Sequence, residues 1–146
     1  MHIYNEDGRI FLQKSTTKYD LIILDAYSRS YVPFHLMTAE FFKEIAGHLT
    51  ANGTVVSNLI SQTSGAGSQL LSAEVKTMQT SFPNVYTFAV RGATFPDAQN
   101  IIVLATLMPE HLEKQDFEKL VDSTTVKKAP AESAANYFTM DTSDAA

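Results

Sequence analysis

Three side chains stand where this sequence could meet a ligand: Asp25, Asn58 and Asp7. Asp25 directly follows the apolar run Leu21-Ile22-Ile23-Leu24, so it is expected at the carboxyl end of a strand. That is the rim at which open α/β sheets bind ligands. An Asp at a strand end is also a common turn former. Asn58 lies near the end of a second strand pattern. Asp7 follows a short apolar pair, Ile3-Tyr4, and precedes Gly8, which lets backbone approach a ligand closely.

Other candidates carry less chemistry. The four histidines, His2, His35, His48 and His111, share no metal-ligand spacing and read as surface or loop residues. No nucleophile-elbow pattern surrounds Ser57 or Ser64. Gly65-Ala66-Gly67 has no following lysine and fails as a phosphate loop. Phe41-Phe42 fall on a core stripe, and the acidic residues between 110 and 122 read as a solvated helix face. No metal site is expected.

The elements that must position these residues alternate between short apolar runs and helical patterns, the signature of a mainly parallel α/β sheet. Asp20–Leu24 is continuous and apolar, as expected of a strand buried on both faces. A loop from Ala26 to Met37 carries Ser28, Ser30 and Pro33. Thr38 can cap a helix with Glu40 in its first turn, and Phe41, Phe42, Ile45 and Leu49 recur at helical spacing. Asn52-Gly53 is expected to end that helix and open a strand from Thr54 to Ile60, followed by a flexible Ser/Gly/Gln-rich loop. Leu71, Val75, Met78 and Phe82 form one helical stripe, stopped by Pro83. Val85–Val90 and Ile101–Leu107 read as an antiparallel strand pair, because the turn between them is too short for a parallel crossover. Pro109 suits the first position of a last helix with Leu112, Phe117 and Leu120. A short strand is expected at Ile3-Tyr4. One incomplete domain is expected over residues 1–123, with a weakly ordered tail over 124–146.

Bulk properties narrow the classes. The chain has 146 residues, 45 % hydrophobic and 18 % charged, with a formal net charge of −5, enough for one core. An acidic chain whose only basic cluster is Lys127-Lys128 is a poor fit to nucleic acid. There is no cysteine, which excludes disulfides and thiolate chemistry. No apolar run approaches the roughly 20 residues needed to span a bilayer, and the N-terminus has no signal-peptide pattern. The expected location is the cytoplasm, with no membrane segment in this chain.

An ordered set of motifs then resembles a known family. Asn5-Glu6-Asp7-Gly8-Arg9-Ile10-Phe11-Leu12, Tyr19-Asp20-Leu21-Ile22-Ile23-Leu24-Asp25, Leu36-Met37-Thr38-Ala39-Glu40-Phe41-Phe42 and Leu49-Thr50-Ala51-Asn52-Gly53 are similar to the polyamine aminopropyltransferases, the spermidine synthases. The family pattern is an acidic D-[GA] pair, a YD-[VL]-I-I-x-D strand, L-[FM]-T-x-E-F-[YF] and L-x-x-x-G. Thr94-Phe95-Pro96 resembles the family's T-Y-P turn. The resemblance covers nearly all of residues 3–107.

The resemblance implies a partial Rossmann-like, class I methyltransferase-type fold. It implies transfer of an aminopropyl group from decarboxylated S-adenosylmethionine to putrescine or a related amine, with no metal. Asp25 would take the proton of the attacking amine, and Asp7 with Gly8 would meet the adenine of the donor. Ser28 and Phe95 would stand on the acceptor side, and Asn58 is expected among the substrate- or cosubstrate-binding residues. Two positions depart from the pattern: the family's second Asp is Ser28, and the Tyr of the T-Y-P turn is Phe95. The family's glycine-rich loop and ribose-binding acidic residue would come before Met1, so the chain is expected to be truncated and inactive alone. The partners expected besides the polyamine substrate are a second copy of the chain, as a homodimer, or a complementing N-terminal chain that supplies the missing half. An S-adenosylmethionine-dependent methyltransferase and a non-catalytic remnant or interaction subunit remain the alternatives.

Overall fold

The computed structural model describes residues 1–26, 32–123 and 137–138. Its elements are α1 (Gly8–Lys14), β1 (Tyr19–Leu24), α2 (Ala39–His48), β2 (Leu49–Ser61), α3 (Gln69–Met78), β3 (Asn84–Ala89), β4 (Gln99–Thr106), α4 (Lys114–Ser123) and β5 (Tyr137–Phe138). Short 3-10 turns at Phe34–Leu36 and Ala66–Ser68 precede α2 and α3.

The five strands form one mixed sheet in the order β1-β2-β4-β3-β5. The β1–β2 pair is parallel, joined by the crossover through α2. The antiparallel pair expected at the end of the sheet is β3–β4, and β4 inserts between β2 and β3, so those ladders are antiparallel. Tyr137–Phe138 adds two residues to the free edge of β3; the rest of the expected tail lies outside the described residues.

Pleat parity sorts the sheet into two faces. Val55 and Leu59 of β2 and Ile101, Val103 and Ala105 of β4 are buried against Phe41, Phe42 and Ile45 of α2 and Leu71, Val75 and Met78 of α3. Ile22 and Leu24 of β1 join this core, and so does Leu12 of α1. The opposite face is covered near β3, where Phe117 of α4 meets Tyr86 and Phe88 edge-on at 5.0 and 5.2 Å.

The Thr38 cap forms as predicted, its Oγ1 accepting from Phe41 N. Phe41, Phe42 and Ile45 of α2 and Leu71, Val75 and Met78 of α3 make the buried stripes. Leu49 instead opens β2, Phe82 lies past the end of α3 and Leu112 lies before α4. Four local expectations are corrected. Ile3-Tyr4 makes no strand: both residues are exposed, and Tyr4 instead rests against Phe11 of α1, ring centroids 4.8 Å apart. β1 is not buried on both faces, because Leu21 and Ile23 are 52 % and 65 % exposed. Among the described residues its only ladder is with β2, and nothing described covers the face that Leu21 and Ile23 share.

Asn52-Gly53 does not separate a helix from a strand but lies inside β2. The β1–β2 register jumps there from Tyr19↔Leu49 to Leu21↔Thr54, and Gly53 O is taken by Leu107 N and Thr106 Oγ1 from β4 and its end. Pro109 does not open α4, which starts at Lys114. The stretch before it is held to β3 instead: Asn84 Nδ2 donates to Met108 O and Glu110 O, and Leu112 N donates to Tyr86 Oη.

Candidate functional site

Asp25 follows the last residue of β1 and is exposed, at the carboxyl rim. Its neighbour across the sheet is Asn58 of β2, whose Nδ2 donates to Asp25 Oδ1 at 3.1 Å. The register explains the meeting: Leu24 pairs with Ser57, so the next residue on each strand points to the same face. Asp25 Oδ2 has no partner among the described residues. The pair therefore presents one carboxylate oxygen steadied by an amide and one directed elsewhere, an arrangement able to hold a cationic or proton-donating group.

Asp7 and Gly8 reach the same rim by a different route. Asp7 is not a strand end but the N-cap of α1, its Oδ1 accepting from Arg9 N at 2.9 Å and Ile10 N at 3.1 Å. Gly8 is the first residue of that helix, and the space where a Cβ would stand is open. Asp7 Oδ2 lies 2.9 Å from His35 Nε2, in the turn that leads from the β1 loop into α2. The Ile10 N–H and then the His35 ring hold the Asp7 carboxyl below the usual carboxylate range.

Arg9 fixes this corner. Its guanidinium grips Glu44 of α2 at 2.8 and 3.1 Å, donates to His35 O at 3.1 Å, and lies 5.6 Å from the Phe41 ring centroid. The bidentate pair raises the Arg9 pKa and lowers that of Glu44. At their far ends α1 and α2 are joined again, His48 Nε2 lying 3.0 Å from Ser15 O. The two helices thus run side by side, and the start of α1 stands beside the start of α2, which follows the carboxyl end of β1.

The third loop of the rim joins β3 to β4. Thr63 Oγ1 donates to Ala93 O at 2.7 Å and Gln62 Nε2 to Pro96 O at 3.2 Å, tying this turn to the loop after β2. Gln99 closes it from inside, accepting from Arg91 N and donating to Gly92 O. Gly92 has φ 88°, the left-handed region that favours glycine. Phe95 sits here, its ring centroid 3.9 Å from the Arg91 guanidinium carbon.

Asp25 and Asn58 are therefore in contact, Asp7 and Gly8 occupy the same rim, and Phe95 stands on its third loop. Ser28 lies outside the described residues. His35, Arg9, Glu44 and Arg91 complete the rim and were not anticipated from the sequence. The Asp7 cap carried only the signal of its residue type, Asp being a favoured N-cap, because Leu12 is the one residue of α1 that is buried. Among the described residues no group of three His, Cys, Asp or Glu side chains could hold a metal ion, and no described helix is long and apolar enough to cross a membrane.

No family model matches the chain. It is 33 % identical over 91 residues to a polyamine aminopropyltransferase of Vibrio vulnificus, covering 60 % of this chain and 29 % of that protein. It is 40 % identical over 62 residues to a probable polyamine aminopropyl transferase of Bifidobacterium longum, covering 42 % of this chain and 14 % of the relative. The chain thus spans less than a third of the curated relatives it matches. In three dimensions it resembles the spermidine synthase of Thermotoga maritima with a TM-score of 0.68 at 17 % identity, over 93 % of this chain and 45 % of that one. A probable spermidine synthase of Corynebacterium glutamicum matches with a TM-score of 0.62 at 21 % identity, over 83 % and 44 %. A spermidine synthase in complex with the transition state analogue AdoDATO also gives 0.62, at 16 % identity, over 92 % and 44 %. The α/β fold of this chain is that of part of these proteins.

Proposed function

We propose that this chain forms the acceptor-side part of a spermidine synthase-like aminopropyltransferase, acting on decarboxylated S-adenosylmethionine and putrescine or a related amine. The observation that carries the reading is the Asp25–Asn58 pair on the same rim as Asp7. The similarity to proteins named for this transfer, and to a spermidine synthase bound to AdoDATO, supports the choice of donor.

A diamine arrives protonated, and its attacking nitrogen must be neutral to bond to a carbon beside a sulfonium. Asp25 attracts the ammonium and takes its proton. The freed electron pair forms the new C–N bond as the C–S bond breaks, and the sulfur leaves as the neutral thioether methylthioadenosine. Asn58 holds one Asp25 oxygen so that the other faces the amine, since orientation supplies much of such a rate gain. Asp7 accepts from the adenine amino group, with Gly8 leaving room beside it. Phe95 lines the acceptor side, and the resemblance assigns Ser28, which lies outside the described residues, to the same side. The 146 residues alone, with no glycine-rich nucleotide loop in their sequence, are expected to give no measurable transfer.

One observation favours a second reading, an S-adenosylmethionine-dependent methyltransferase. Arg91 lays a positive charge on the Phe95 ring, on a turn where the resemblance would place a tyrosine facing a polyamine, and a fixed cation repels a dication. Calorimetry with methylthioadenosine and with S-adenosylhomocysteine separates the two. Tighter binding of methylthioadenosine is expected; a clear preference for S-adenosylhomocysteine would transfer the assignment to methyl transfer.

A further inference from the structure

We propose that His35 is a positioning residue for Asp7, so that carboxylate and imidazole act as one unit in meeting the adenine of the donor. The inference rests on the reading of Asp7 given above and extends it to a residue that reading did not include.

Its basis is that the Asp7–His35 contact is redundant for every local structural task. The helix cap is complete without it, because Oδ1 alone accepts both the Arg9 and the Ile10 N–H. The joint between α1 and the turn before α2 is also complete without it, because Arg9 donates to His35 O and pairs with Glu44. What the contact at 2.9 Å adds is a fixed direction for Oδ2, the oxygen not used by the cap. Both side chains are about half exposed, at 42 % and 49 %, so the oriented oxygen stays accessible. A carboxylate oxygen accepts more than one hydrogen bond. With one position filled by the imidazole, the remaining one is aimed, and an incoming exocyclic amine meets an acceptor that has already lost its rotational freedom. An exposed side-chain contact of this kind adds little stability by itself, so it matters for orientation and not for holding the fold.

The test is a titration of the 146-residue protein with methylthioadenosine, followed by amide chemical shifts in NMR. Asp7→Ser keeps a capping oxygen and removes the second one; it is expected to abolish the response while α1 resonances persist. His35→Ala is expected to weaken binding roughly tenfold, the scale of losing one hydrogen bond to a charged group. His35→Gln, whose amide can still donate to Oδ2, is expected to stay within about twofold of the parent. If Asp7→Ser loses binding while His35→Ala keeps it, the role of His35 is refuted and the reading of Asp7 stands. If His35→Gln is folded yet as weak as His35→Ala, the hydrogen bond is not the cause and the proposal falls. If the parent protein itself gives no response, both the reading of Asp7 and this extension of it are overturned.

Discussion

Glu74 offers the most quantitative check on the packing beneath the rim. It lies on the inner stripe of α3, is 2 % exposed, and its Oε2 has no hydrogen-bond partner. Burial pushes its carboxyl up from 4.5 to about 7, and the Ser57 hydroxyl on β2 offsets only part of that. Burial and the Ser57 hydroxyl account for the shift between them.

A carboxyl raised in the folded state favours folding while it is protonated. Its contribution is therefore complete below about pH 4.5, declines as pH rises, and is lost above about pH 7. A displacement of about 2.5, at roughly 1.36 kcal/mol per pH unit, makes this about 3 kcal/mol. Glu74→Gln keeps the shape and removes the titration. The amide brings unpaired N–H groups of its own, costing on the order of 1–3 kcal/mol at every pH, so the comparison must be made across pH. Urea unfolding of both proteins from about pH 5 to about pH 8 should show the parent losing about 2–3 kcal/mol relative to the variant. Parallel curves would refute the reasoning: Glu74 would then reach water or an unrecognised partner.

Two further substitutions test the strand contacts. A Cβ at Gly53 would stand 2.8 Å from Leu49 Cβ and 3.0 Å from Thr50 N, so Gly53→Ala should lower stability by about 1–3 kcal/mol in urea unfolding; no change would mean the register jump in β2 is relaxed. Tyr86→Phe removes the acceptor of Leu112 N from a ring 1 % exposed and should cost about 1–2 kcal/mol, read as a lower thermal midpoint.

Much of the fold was legible because its signals are local. The α2 and α3 stripes, the Thr38 cap and the antiparallel β3–β4 pair follow from spacing and turn length alone. What failed depends on neighbours. Ile3-Tyr4 has strand-like residues but joins no ladder among the described residues, and the apolar run of β1 predicted two covered faces where the described residues cover one. Pro109 is compatible with a helix start, but Asn84 and Tyr86, about 25 residues earlier, hold that stretch in another conformation. In the site, Asp25 and Asn58 were legible as strand ends. His35 was not, because nothing in its neighbours announces a contact with a residue 28 positions away. Glu74 did carry a signal, standing three residues after Leu71 on a stripe that is otherwise apolar.

The central claim is that Asp25 accepts the proton of an attacking amine. It is tested by the turnover of Asp25→Asn in a protein that joins this stretch to a glycine-rich nucleotide loop, with Ser28→Ala as the comparison. The account predicts that Asp25→Asn lowers kcat by roughly 10²–10⁴-fold, the scale of general base catalysis, with a much smaller effect of Ser28→Ala. Undiminished turnover in Asp25→Asn, or equal losses in the two variants, would contradict it.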